Sequence, residues 1–370
     1  MEFPLIRNKL LEFGYKNIAK QLFFLMDPEI VHDRMIKLGN KTGKIKFTKS
    51  IMRMTFDYKN PMLEQNIFGI KFRNPIGLAA GFDKDAQLVD ILPSIGFGFE
   101  EIGSITGQPS KGNPKPRLWR LKKSKSLIVH YGLKNDGCEI IHNRLKKKKF
   151  EIPIGVSIAK TNCKGTVDTK NAIEDYVKSY KIFSNIGDYY TINISCPNAF
   201  GGQPFTDSKR LKMLLDAIFK ERYSKPIFIK LSPDLSKKEI DKLLEVSEKY
   251  NVSGYVCSNL TKKRNNKKIL EQNIPDKGGI SGKVVQDMAN NQISYIYKKI
   301  KRDRIIIGVG GVFSAEDAYD KIKRGASLIQ LITGMIFEGP QVISEINLGL
   351  VKLLKKDGLS NISEAIGTAV

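Results

Sequence analysis

Eight short apolar runs punctuate the chain, at residues 76–80, 99–105, 153–159, 189–195, 226–232, 254–259, 304–311 and 326–334. Each is almost continuously apolar rather than alternating, the pattern of parallel strands buried on both faces. The segments between them carry apolar residues at helical spacing. Residues 236–250 read as a helix with Ser236 as N-cap, and Glu239 three positions on completes a capping box. Residues 314–325 open on Ser314, carry acids in their first turn, and close in Lys, Arg and Gly, again as a helix should. Eight strands alternating with helices predict an α/β protein, specifically a (β/α)8 TIM barrel. A doubly wound sheet is disfavoured because no G-x-G-x-x-G follows an early strand.

Two amphipathic patterns, at 3–26 and 27–39, precede the first run. They predict a small helical extension over residues 1–50, ahead of a barrel domain over 51–370. The extension holds ten basic and five acidic residues. It would therefore either pack on the barrel or dip into an anionic membrane surface. Residues 62–73 read as a hairpin closing the barrel floor. Two long gaps separate the runs: one holds 107–117, rich in Pro, Gly and Lys, and then 127–137; the other is 262–279, polar and rich in Asn and Lys. Both follow strand C-terminal ends, so both belong on the catalytic face of a barrel, where long loops bind or cover something.

Composition narrows the class without naming a function. The 370 residues are 41% apolar and 27% charged, an ordinary globular balance. No apolar run approaches the roughly 20 residues of a membrane span, and no signal-peptide pattern opens the chain, so a cytoplasmic protein is expected. The four cysteines form no C-x-x-C pair and the three histidines are scattered, so no metal site is expected. A formal net charge of +24 favours anionic partners, although a lysine-rich proteome would produce the same excess. The densest basic run, 144–149, has no interleaved aromatics, so no single-strand nucleic-acid platform is indicated.

Chemistry should sit at the strand C-terminal ends. The seventh run ends in Gly308-Val-Gly-Gly311 and the eighth reaches Thr333 and Gly334. Loops after these two strands commonly cradle a phosphate through backbone N–H groups. The fourth run leads into Asn193-Ile-Ser-Cys196-Pro-Asn198. Paired amides suit a heterocycle bearing carbonyl and N–H groups, and a cysteine between them is a candidate nucleophile or base. Cys138, Cys163 and Cys257 read as small buried hydrophobes. Lys84, after the first run, and Lys230, inside the apolar I-F-I-K-L, are out of place in a packed core unless an anion meets them.

Seven motifs, taken in order, resemble those of the dihydroorotate dehydrogenase family. They are L-A-A-G-F-D-K-D (78–85), E-I-G-S-I-T (101–106), G-N-P-K-P-R-L-W-R (112–120), N-I-S-C-P-N (193–198), K-L-S-P-D-L-S (230–236), G-G-I-S-G (278–282) and I-G-V-G-G (307–311). The resemblance spans residues 27–345 or so. It implies a flavin mononucleotide (FMN) barrel that oxidises dihydroorotate to orotate in pyrimidine synthesis. The N-terminal M-D-P-E-I-V-H (26–32) resembles class 2 members, peripheral membrane proteins on the cytoplasmic side whose N-terminal helices admit a quinone. The resemblance implies flavin contacts from Ala80, Gly81, Ser104, Asn193, Lys230, Ser258, Gly282, Gly311, Thr333 and Gly334. It implies pyrimidine contacts from Lys84, Asn193, Asn198 and Asn259, with Cys196 as the base. Cysteine at 196 and G-G-Q-P-F (201–205) are closer to class 1, which keeps a soluble acceptor open, either fumarate or NAD through a partner. The family's N-x-M-G loop reads Val129-His-Tyr-Gly132 here, which removes an expected amide. Ser157, Leu260 and Ile332 also depart from the usual residues. A tRNA dihydrouridine synthase, another flavin barrel with a catalytic cysteine, is the remaining enzymatic alternative. It would require RNA binding, but no basic helical domain follows the barrel.

Overall fold

In the computed structural model, which describes residues 2–221, 224–300 and 303–370, the chain begins with helices rather than strands. Helix α1 (Glu2–Gly14) runs through a π-helical turn at Tyr15–Ala19 into α2 (Lys20–Leu25). The turn has a clear role in the pattern. Exposed Phe3, Ile6, Leu10 and Phe13 follow helical spacing, but the next exposed apolar residues, Ile18, Leu22 and Leu25, begin five positions later. A wider i→i+5 turn absorbs the extra residue and keeps the apolar stripe on one side. Asp27 caps α3 (Pro28–Gly43) by accepting from the N–H groups of Glu29 and Ile30. Helix α4 (Lys46–Phe56) follows, so the boundary expected at residue 50 falls inside a helix.

The hairpin of β1 (Gln65–Ile67) and β2 (Ile70–Phe72) comes next. It buries Phe72 against Phe99, Tyr189 and Phe228 at the strand N-terminal ends, closing the floor as expected. The remaining strands are β3 (Ile76–Leu78), β4 (Phe99–Ile105), β5 (Leu118–Leu121), β6 (Ser126–Val129), β7 (Ile154–Ile158), β8 (Tyr189–Asn193), β9 (Ile227–Leu231), β10 (Gly254–Cys257), β11 (Gly279–Ile280), β12 (Ile305–Val309) and β13 (Ala326–Leu331). Eight of these close a parallel barrel in the order β3-β4-β7-β8-β9-β10-β12-β13, one for each apolar run. Only the second keeps the bounds the sequence suggests; the other seven are shorter by two or three residues. Thr333 and Gly334 open a helix rather than ending a strand.

Helices α5 (Cys138–Leu145), α6 (Thr169–Ile182), α7 (Ser208–Phe219), α8 (Lys237–Ser247), α9 (Gln286–Tyr297), α10 (Ala315–Lys323), α11 (Thr333–Glu338) and α12 (Val342–Lys356) complete the fold. The capping box of Ser236 and Glu239 forms at the start of α8, and Ser314 accepts from the Asp317 N–H at α10. One element was not foreseen. The connections from β4 to α5 and from β10 to α9 contribute a three-stranded antiparallel sheet, β5-β6-β11, which lies over the barrel's C-terminal mouth.

Candidate active site

Alternation along the barrel strands decides which side chains meet inside. On β8, Tyr189, Thr191 and Asn193 share one face; on β9, Phe228 and Lys230 do. The lowest interior layer is apolar, with Phe99, Tyr189, Phe228, Val256 and Ile307. One step up, the Glu101 carboxylate accepts from Thr191 Oγ1 and Gln330 Nε2, both at 2.9 Å, and lies 3.8 Å from Lys230 Nζ. Burial lowers the Lys230 pKa, and Glu101 partly offsets that. Above this layer Ser157, Ser104, Asn193 and Asn259 form a chain of side-chain hydrogen bonds of 2.8, 2.8 and 3.2 Å.

The chain ends at a cavity of about 940 Å3, open mouth included, beneath the β5-β6-β11 sheet. Ala80, Gly81, Lys84, Ser104, Asn193, Cys196, Asn198, Lys230, Asn259 and Thr333 all line it, so most of the expected residues converge. Ser258, Gly282, Gly311 and Gly334 do not line it. Ser258 is buried at the end of β10, where its N–H donates to Val309 O. The three glycines sit where segments press together. A Cβ at Gly282 would come within 2.5 Å of Lys125 O, one at Gly311 within 2.4 Å of Gln286 Cβ, and one at Gly334 within 2.0 Å of Val312 O.

Cys196 sits just beyond β8, on the cavity wall. Burial pushes its thiol pKa above the ordinary value, and the Asn198 and Ala199 N–H groups, Lys160 and Lys262 offset this only in part. Asn198 Nδ2 donates to Val129 O at 2.8 Å. The Lys84 ammonium stands 4.1 Å from the centre of the Tyr131 ring, and burial, helped by Lys134, brings its pKa down to about 8.

Three polar neighbours escaped the sequence reading. Asn113 Nδ2 donates to Asn198 O (3.0 Å) and His130 O (3.1 Å), Asn162 Nδ2 donates to Asn113 Oδ1 (3.0 Å), and His130 Nδ1 lies 3.5 Å from Asn198 Oδ1. The 129–132 loop is thus held by amide side chains from other segments, which donate to Val129 O and His130 O. Asn113 lay within a motif already singled out. His130 stood in the 129–132 loop, noted only for its departure from the family's motif, and Asn162 carried no local signal.

A second cavity, of about 1440 Å3, lies between the N-terminal helices and the barrel. Its walls include Phe24, Val31, Met35, Leu38, Leu92 and Met335, and its polar lining residues are Tyr15, His32, Thr42 and Arg120. His32, Phe82, Leu118, Leu127 and Ile336 line both cavities, so the two share a wall. Glu29 on α3 binds Arg117 beside β5 through Nε (3.1 and 3.2 Å) and Nη2 (2.7 Å), tying the helices to the sheet over the mouth.

This architecture has close counterparts. The family model for dihydroorotate dehydrogenase matches residues 62–354. The dihydroorotate dehydrogenase (quinone) of Trichormus variabilis is 38% identical over 371 residues, covering 95% of this chain and 98% of that one. The same-named protein of Christiangramia forsetii is 38% identical over 346 residues, covering 92% and 99%. The crystal structure of DHODH from Eimeria tenella in complex with ferulenol superposes with a TM-score of 0.83 at 30% identity, covering 92% of this chain and 95% of that one. With the barrel, the amide-lined mouth and its cysteine in the expected places, the chain belongs to the dihydroorotate dehydrogenase family.

Proposed function

We propose that this protein oxidises (S)-dihydroorotate to orotate in pyrimidine biosynthesis, with FMN as its prosthetic group and a quinone as electron acceptor. The observation that carries this reading is the pairing of two unlike cavities across one wall. One presents amides, lysines and a thiol; the other is almost wholly apolar. A charged heterocycle suits the first and a lipid-soluble acceptor suits the second.

The chain fits a flavin. At Gly81 a Cβ would project into open cavity, its nearest neighbour being Ile332 Cδ1 at 4.0 Å, so the missing side chain leaves room for a ring. Lys230 supplies a buried cation with Asn193 and Ser104 beside it. Among the described residues the N–H groups of Gly282 and Gly311 have no partner in the chain. With the first turn of α11 at Thr333 and Gly334, they offer donors to a phosphate. FMN, when bound, supplies the two-electron acceptor that no side chain provides.

The other roles belong to the chain. Lys84 pairs with the substrate carboxylate. Asn193, Asn198 and Asn259 read the carbonyl and N–H edges of the ring, held in register by the hydrogen-bond chain below and the Asn113 cluster beside them. Cys196, as thiolate, removes the proton from the ring carbon next to the one that is oxidised. The sheet above the mouth excludes water.

The N-terminal helices hold the protein on the cytoplasmic face of a membrane. No described helix is long and apolar enough to cross one. The exposed stripe of Phe3, Ile6, Leu10, Phe13, Ile18, Leu22 and Leu25 is joined by Phe47, Ile51 and Met54 of α4, with Lys9, Lys37, Lys41 and Lys46 exposed among the four N-terminal helices. Lys9 belongs to α1 and Lys46 to α4, while Lys37 and Lys41 come from the intervening α3; apolar insertion with a basic surround is the chemistry of helices lying on anionic lipid.

One anaerobic experiment tests the whole reading. Dihydroorotate should bleach the flavin's visible band, and quinone delivered in anionic vesicles should restore it, with the protein sedimenting on those vesicles. A flavin untouched by dihydroorotate would overturn the assignment of substrate. Reoxidation only by a water-soluble acceptor would overturn that of the quinone.

A further inference from the structure

Burial alone leaves Cys196 poorly placed to be a base, because it holds the thiol protonated. Something near it must favour the thiolate. Three lysines interact electrostatically with its sulfur: Lys160, Lys230 and Lys262. Lys262 is exposed, so solvent screens it. Lys230 faces Glu101 and the flavin position, so its charge is already answered.

Lys160 differs from both. It follows β7, its residue is only 3% exposed, and it forms no ion pair with a carboxylate among the described residues. Its Nζ donates to Phe200 O at 2.6 Å and lies 3.5 Å from Thr166 Oγ1. Phe200 belongs to the segment leaving Cys196, so the ammonium is fixed to the loop that carries the thiol. A small pocket that shares Leu133, Asn193 and Cys196 with the active-site cavity is lined by both Lys160 and Cys196, with Tyr176 and Phe205 among its other walls. The charged or titratable groups around Lys160 come from each packed element: Cys163 on its own loop, Asp175 and Tyr176 on α6, and Cys196 after β8. Asp175 is the one carboxylate among them, and its two oxygens already accept from the Thr161 N–H and hydroxyl and from the Gly107 N–H.

We infer that Lys160 is a positioning residue for the reaction: a buried cation, held against the loop of Cys196 from behind, that stabilises the thiolate form of the base. The substrate enters from the opposite side, at the cavity mouth. The thiolate thus faces the pyrimidine with a fixed positive charge behind it, and needs no contact between Lys160 and substrate or cofactor. This inference rests on the reading of Cys196 as the base.

The test follows the sulfur directly. Iodoacetamide alkylation of Cys196 in the flavin-loaded enzyme is measured against pH by mass spectrometry of its peptide, which separates it from the other three cysteines. Lys160→Met should move the alkylation profile to higher pH by about one unit, or roughly tenfold slower labelling near neutrality. Lys160→Arg, which keeps the charge, should stay near wild type. Lys160→Gln, which can still donate to Phe200 O, should behave like Met. If Gln matches wild type, the residue acts by anchoring the loop and the inference fails; if Met also matches wild type, it fails outright. Should Met lose flavin, the Gln and Arg pair decides alone. The outcome is independent of whether dihydroorotate is the substrate, because alkylation reads the thiol without it.

Discussion

The two cavities that meet at His32, Phe82, Leu118, Leu127 and Ile336 are built on opposite rules. The barrel mouth takes its side chains from strand ends and the segments just after them. Its polar groups are mutually bonded, from Ser157 through Ser104 and Asn193 to Asn259. Such networks are rigid because each broken bond leaves a buried group unsatisfied. The cavity under the N-terminal helices takes its walls from the π-helical turn at Tyr15, from α2, α3 and α4, and from the segments around 82–95, 118–127 and 335–340, packed side to side with few polar groups. One region fixes direction and charge; the other fixes only width and apolarity. A reaction that removes a proton and a hydride from adjacent carbons of a polar ring, then passes the hydride's two electrons to a membrane-soluble carrier, requires this division. It follows that changes in the first region should be felt in chemistry and pH, and changes in the second only in acceptor affinity.

The sharpest way to break the comparison is at Cys196. Cys196→Ala should slow flavin reduction by dihydroorotate about 1,000-fold or more, the upper part of the range for losing a general base. The flavin should stay bound, and once reduced chemically it should still be reoxidised by quinone at the wild-type rate. Stopped-flow absorbance measures both half-reactions. A variant that reduces normally would place the base elsewhere.

Lys84 gives a smaller effect of another kind. Lys84→Met should raise the KM for dihydroorotate by about 10- to 100-fold, the cost of one charge-assisted hydrogen bond to the carboxylate. The pH dependence carries a sign. With a pKa of about 8, Lys84 is a cation below that pH and loses its charge above it, so affinity for the anionic substrate falls as pH rises past 8. Cys196 runs the other way: its raised pKa means thiolate, and rate, gained with rising pH. The kcat/KM profile of flavin reduction should therefore turn over on its alkaline side in the wild type, and the descent governed by residue 84 should vanish in Lys84→Met. The quinone half-reaction should show neither limb.

The barrel was legible because eight short, nearly continuous apolar runs alternate with segments of helical spacing, an order that parallel strands buried on both faces produce. Ser236 with Glu239, and Ser314 with Asp317, marked helix starts through local hydrogen bonds. The β5-β6-β11 sheet was not legible: β11 is two residues long, and its partner lies some 150 positions earlier in the chain, so no local pattern records the pairing. The active site divides the same way. Cys196, Asn193, Asn198, Lys84 and Lys230 stood out because each breaks the pattern of its own segment. Asn162 breaks nothing locally, and His130 stood out only as part of a loop that departs from the family's motif; both neighbour the site because separate loops meet over the mouth. Lys160, on an ordinary polar loop, becomes unusual only once its burial is known. The apolar cavity was least visible, since its walls come from segments up to 325 positions apart, Tyr15 and Pro340 among them.

The weakest perturbation is also the most selective. Met35 lies on α3 and lines the apolar cavity but not the barrel mouth. Met35→Trp adds bulk to a space that a quinone must enter, while the indole remains compatible with an apolar wall. Steric narrowing of this sort is worth about 1–2 kcal/mol, so the KM for quinone should rise by roughly 10-fold. Reduction of the flavin by dihydroorotate should keep its wild-type rate, KM and pH profile, because no hydrogen bond of the mouth passes through α3 at residue 35. Steady-state kinetics with varied quinone and stopped-flow reduction without it make the distinction. If reduction itself slows, the shared wall transmits strain and the two cavities are not independent. If the quinone KM is unchanged, the acceptor reaches the flavin by a path other than the space beneath the N-terminal helices.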